Sequence, residues 1–162
     1  AFDLVHVRYV GDDEIELWLG EAKFFKNRND AIKDAITSIT GHITAGFLKN
    51  EKLLLGPQVS NDIPHSAKIK KLLSAEASLD KLIASAVFPV LIAANSDATA
   101  SHVSVSDGYS TEVDAEMKDL WMKLKASGLT EKIKIKLIYV PLGDKDALSK
   151  AFDDRLKGLQ IA

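Results

Sequence analysis

At 162 residues, 46% hydrophobic and 27% charged, the chain has the composition of one globular domain rather than a disordered tail or a membrane protein. A formal net charge of −2 gives no overall basic surface, so any nucleic-acid contact has to rest on local lysine clusters. With no cysteine there is neither a disulfide framework nor a thiolate metal site, which fits a reducing, cytoplasmic compartment; no apolar run of about 18 residues and no charged-then-apolar leader is present.

In chain order, Phe2 to Val10 and Glu14 to Phe24 are dense in Val, Ile, Leu, Tyr and Trp, with Gly11-Asp12-Asp13 between them as turn chemistry. They predict a hairpin. Centring the turn on Asp12 places Val10 opposite Glu14 and Asp3 opposite Glu21. One face of the hairpin then carries Asp3, Val5, Val7 and Tyr9 with Ile15, Leu17, Leu19, Glu21 and Lys23, so its three charged groups gather at the open end. Like charges directly across a ladder are destabilising. A divalent cation would relieve the Asp3/Glu21 conflict, since carboxylate oxygens are ligands for Mg²⁺ or Mn²⁺. On that reading, Glu21→Gln in the metal-free protein melts at or above wild type.

Asp3, then seventeen residues, then Glu21-Ala22-Lys23 on two antiparallel strands resembles the active site of the PD-(D/E)xK nucleases. The longer stretch GEAKFFKNRNDAIKDAITSITGHI also resembles the nuclease subunit of the Hachiman anti-phage defence system, which works beside a helicase-like partner. The resemblance implies that Asp3, Glu21 and the backbone carbonyl of Ala22 hold Mg²⁺ (or Mn²⁺). It gives Lys23 the task of orienting a water or stabilising the reacting phosphate. It further implies a restriction-endonuclease-like core whose first helix and strand precede residue 1, so that residues 1–162 form a single nuclease-like domain of a longer protein. Glu116-Met117-Lys118 has the same acidic-x-Lys spacing but lies in a helical pattern, where residues two apart do not face each other.

Beyond the hairpin, Asn27 or Asn29 can cap a helix running to about Leu48, with Ile32, Ile36, Ile39, Ile43 and Phe47 as its apolar stripe. Its free N-terminal amides could help hold a phosphate. Many superfamily members carry Gln and Tyr four apart on this helix. Ser38 and His42 have the spacing with different chemistry, and His42 reads as a partly exposed structural residue. Leu53 to Leu55 end at Gly56-Pro57, a polar loop follows to Ile63, and short helices are predicted to open at Pro64 and at Ser78.

Ala86 to Asn95, AVFPVLIAAN, is too continuously apolar for a surface strand, although Pro89 argues for a strand start or an edge. Residues Asn95 to Thr111 read as one long loop containing His102. A helix with Val113, Met117, Leu120, Trp121 and Leu124 stops near Gly128, a strand alternates Ile133, Ile135, Leu137 and Tyr139 with lysines, and Asp144 caps a last helix carrying Leu148, Phe152 and Leu156. The fold class is therefore α/β, a mixed sheet flanked by helices. Three lysine-rich sets are candidates for DNA contact: Lys23, Lys26 and Arg28; Lys68, Lys70 and Lys71; and Lys132, Lys134 and Lys136. The function expected is metal-dependent hydrolysis of phosphodiester bonds in DNA, with DNA and a helicase-like protein as partners. The alternative is a catalytically inactive module of the same fold, for DNA binding or helicase docking.

Overall fold

The computed structural model describes residues 2–11, 14–44 and 46–160. The hairpin forms in the predicted register: β1 (Leu4–Tyr9) runs antiparallel to β2 (Ile15–Phe25), pairing Leu4 with Gly20 and Tyr9 with Ile15. Asp12 and Asp13 of the predicted turn lie outside the described residues. The amide of Val10 donates to the Glu14 carbonyl at one end and that of Asp3 to the Gly20 carbonyl at the other, which keeps Asp3 level with Glu21.

β3 (Ala86–Asn95) lies parallel to β2, and β4 (Lys134–Leu142) parallel to β3, completing a mixed sheet in the order β1-β2-β3-β4. Pro89 thus sits in an interior strand, not at an edge or a strand start. The β2/β3 ladder shows why it is tolerated. Pairing runs through Trp18 and Val87, lapses across Leu19-Gly20 and Phe88-Pro89, and resumes at Glu21 and Val90. Proline cannot donate to the ladder, and Gly20 makes room for it: a Cβ there would lie 3.1 Å from both Pro89 Cγ and Leu4 Cβ.

One face of the sheet is the core side. Leu17, Leu19 and Glu21 of β2, and Phe88, Val90, Ile92 and Ala94 of β3, are buried on it, with Ile135, Leu137 and Tyr139 of β4 partly buried beside them. Helix α1 (Arg28–Thr44) packs across β2 and β3 and inserts Ala31, Ile32, Ala35 and Ile39. It is shorter than predicted. The chain passes through Gly46 at φ 74°, a left-handed conformation that suits glycine, and starts a separate helix α2 (Phe47–Leu55) packed on α1. The short helices α3 (Ser66–Leu72) and α4 (Leu79–Ser85) follow, α4 starting where predicted, with the Ser78 hydroxyl as its cap.

The predicted loop from Asn95 to Thr111 is instead largely helical. Ser96 caps α5 (Asp97–Ser101) and Ser106 caps α6 (Asp107–Ala126), each hydroxyl accepting a backbone N–H three residues on, so serines that read as loop composition act as helix starts. Leu120 and Leu124 of α6 enter the core before Gly128, at φ 73°, turns the chain toward β4. Asp144 caps α7 (Lys145–Gln160), which leaves Phe152, Leu156 and Leu159 largely exposed. No helix among the described residues is long and apolar enough to cross a membrane.

Candidate active site

Among the described residues of the hairpin, Glu21 is the most deeply placed carboxylate, only 4% exposed. Period-two alternation drives it onto the core face after Leu17 and Leu19, and α1 covers it. Burying a lone carboxylate is costly unless it is paired. Here Lys23 Nζ lies 2.6 Å from Glu21 Oε1 and 2.9 Å from Asp34 Oδ2 of α1, so one ammonium is shared by two carboxylates. Burial alone would lower the Lys23 pKa, but its pairing with Glu21 and Asp34 outweighs that and holds it above the ordinary lysine value.

The second oxygen, Glu21 Oε2, has no hydrogen-bond partner and faces His42 Nε2 at 3.8 Å. His42 is buried rather than partly exposed. Its ring stacks on Phe2, with centroids 4.2 Å apart, and its Nδ1 lies 3.6 Å from Glu51 Oε1 of α2. Asp3 stays exposed at the strand end, where its Oδ2 accepts the Ala22 N–H at 2.8 Å. The like-charge conflict expected between Asp3 and Glu21 is therefore met within the chain, by Lys23 beside Glu21 and a backbone amide on Asp3.

The hairpin thus brings Asp3, Glu21, Ala22 and Lys23 to one end of the β1/β2 ladder. Three further side chains join them that strand alternation alone does not indicate: Asp34, His42 and Glu51. A helical signal was available for the first two. Asp34, Ser38 and His42 stand at i, i+4 and i+8, one face of α1. The amides at the start of α1 are not available for a phosphate as supposed, since Asn27 Oδ1 accepts those of Asn29 and Asp30.

The donor set suits a hard cation: two carboxylates on paired strands, one with an unsatisfied buried oxygen, and a backbone carbonyl between Glu21 and Lys23. Mg²⁺ takes one or two carboxylates and keeps its other positions for water and phosphate. Among the described residues no group of three or more His, Cys, Asp or Glu side chains is arranged to hold a metal.

A profile of the HamA family matches residues 1–156. The chain belongs to the HamA family. HamA is the nuclease-like subunit of the Hachiman anti-phage defence system, so the resemblance carried by residues 20 to 43 extends over nearly the whole chain, and the family implies a role in defence within a multi-protein system. Comparison with curated proteins and comparison with solved structures each give no match.

A second polar cluster in this HamA member stands on the same sheet row as Lys23, which runs through Ile92 to Tyr139. Glu116, whose acidic-x-Lys spacing falls on a helix as expected, is buried. Its Oε1 accepts from Arg28 at 3.1 Å and from the Asp97 amide at 3.0 Å, and its Oε2 accepts the Tyr139 hydroxyl at 2.8 Å. Arg28 also pairs with Asp97 at 2.9 Å. Lys26 pairs with Asp146, Lys136 lies over the Trp18 ring, and Lys68, Lys71, Lys81 and Lys134 line a cleft of about 810 Å³ alongside Glu14, Glu16 and Glu76.

Burial, and then the hydrogen bond to Glu116, push the Tyr139 hydroxyl well above the ordinary phenol range. Tyr139→Phe should lower stability at pH 7 by about 1–3 kcal/mol, because a buried carboxylate oxygen loses its donor. A folded pKa raised above the unfolded value of 10.0 means that this contribution is complete below pH 10 and lost as pH rises beyond it. Urea melts of both proteins at pH 7 and pH 11 should show the gap shrinking at the higher pH. An unchanged gap would separate Tyr139 from the effect.

Proposed function

We propose that this HamA-family domain is a metal-dependent deoxyribonuclease that hydrolyses phosphodiester bonds in DNA during anti-phage defence, in the cytoplasm and beside a helicase-like partner. The observation that supports it most is the buried Glu21 carboxylate, with one oxygen on Lys23 and the other without a hydrogen bond, next to Asp3 on the paired strand. In this reading the sheet geometry is that of a restriction-endonuclease-like core. Asp3, Glu21 and the Ala22 carbonyl are the residues that would hold Mg²⁺ or Mn²⁺.

When bound, such an ion neutralises charge on the phosphate and lowers the pKa of a coordinated water. Lys23 acts from beside it. Held on the same strand face as Glu21, its ammonium has three donors, of which two face Glu21 and Asp34 and one is left for the attacking water or the phosphate oxygen on which charge grows. Glu21 and Asp3 would hold the cation, and Phe2 stacked on the buried His42 keeps bulk water from the inner side of Glu21. No side chain has to become a covalent nucleophile.

The test is cleavage of plasmid and linear DNA by the full-length protein, with and without its defence partner, in Mg²⁺, in Mn²⁺ and in chelator. Cleavage that needs the divalent cation and disappears in Glu21→Gln is the expected result. DNA binding that survives in Glu21→Gln, with no cleavage by wild type under any of these conditions, would instead make the domain an inactive binding or docking module.

A further inference from the structure

We infer that Asp34, outside the acidic-x-Lys motif, is a positioning residue whose task is to draw the Lys23 ammonium off Glu21 so that Glu21 can take up the divalent cation. The inference rests on the proposed metal-dependent reading of this site.

Lys23 is held from both sides, 2.6 Å from Glu21 and 2.9 Å from Asp34, and the two carboxylates differ in their surroundings. Glu21 is 4% exposed while the Asp34 side chain is 51% exposed. A cation resting on Glu21 alone competes with any metal for that carboxylate. Asp34 offers the ammonium a second anionic partner, one that water also solvates and that need not give up a ligand position. Its place is fixed by the fold. It stands on the second turn of α1, which packs over β2, and Ser38 and His42 continue the same helix face toward the far side of Glu21. When Glu21 turns to a metal, Lys23 keeps an ion pair and remains on the strand face where the phosphate is attacked.

Removing Asp34 should therefore weaken metal binding although Asp34 is not a ligand. The effect should exist only while Lys23 is there to be redirected. Mg²⁺ titrations by calorimetry on the full-length protein would compare wild type, Asp34→Asn, Lys23→Met and the double variant. Asp34→Asn should raise the Kd about threefold in the presence of Lys23, the scale of a partly exposed ion pair. It should leave the Kd unchanged in the Lys23→Met background. Asp34→Glu, which keeps a carboxylate, should restore most of the wild-type affinity, and thermal melts would show that this half-exposed site does not disturb folding. Equal weakening in both backgrounds would overturn the inference, making Asp34 act on the cation directly. No weakening in either would overturn it as well, leaving Asp34 a surface partner only. A wild-type protein that binds no Mg²⁺ would fail differently, removing the metal reading and this inference with it.

Discussion

Lys23→Met should cut DNA cleavage by about 10²–10³-fold while leaving Mg²⁺ affinity equal to or greater than that of wild type, the scale seen when one preorganised donor to a developing charge is lost. The two halves of this result have different origins. The rate falls because, among the described residues of the hairpin, the ammonium beside Glu21 is the only cationic side chain on that end of its core-side face. The affinity does not fall because Lys23 is no ligand. It occupies Glu21 Oε1 at 2.6 Å, so its removal frees that oxygen. Single-turnover cleavage in saturating Mg²⁺, with calorimetry on the same preparations, separates the two. Wild-type turnover by the variant would take Lys23 out of the chemistry. A large loss of metal affinity would mean that Lys23 holds the site together rather than acting on the substrate.

The parts of the fold that were legible in the sequence are those decided by local alternation and turn chemistry. The hairpin register follows from where the apolar residues of Leu4 to Phe25 must point, and that register brings Asp3 level with Glu21. The interior position of Pro89 was not legible, because it depends on Gly20 in a neighbouring strand leaving space for the ring. Likewise, Ser96 and Ser106 carry the composition of a loop until the chain around them commits to helix, when the same hydroxyls become caps. The site divides along the same line. Glu21 and Lys23 share a strand, so their spacing alone puts them together. Glu51 reaches His42 only because the chain breaks at Gly46 and α2 turns back on α1, and nothing in the periodicity of a single helix to Leu48 predicts that. His42 was set apart as structural because its partners lie on three other segments: Phe2 before β1, Glu21 on β2 and Glu51 on α2.

That internal pairing reverses the expected effect of neutralising Glu21. If Asp3 and Glu21 repelled each other with nothing between them, Glu21→Gln would melt at or above wild type in chelator. With Lys23 on Glu21 Oε1 and both groups largely withdrawn from water, the glutamine keeps the shape and loses the charge. A hydrogen bond to a charged group contributes about 1 kcal/mol more than one to a neutral group, so the metal-free variant should be less stable by about 1–2 kcal/mol. In a domain of this size that lowers Tm by about 3–6 °C. Asp34 keeps the loss from being larger, since Lys23 retains one carboxylate. Excess Mg²⁺ should then widen the gap, because a ligand at about 100 times its Kd adds about 2.7 kcal/mol to a protein that binds it and little to one that does not. Thermal melts in chelator and in excess Mg²⁺ decide both steps. A variant melting at or above wild type in chelator would show that Lys23 is not paired with Glu21 in solution, and an equal response of the two proteins to Mg²⁺ would show that Glu21 is not a ligand.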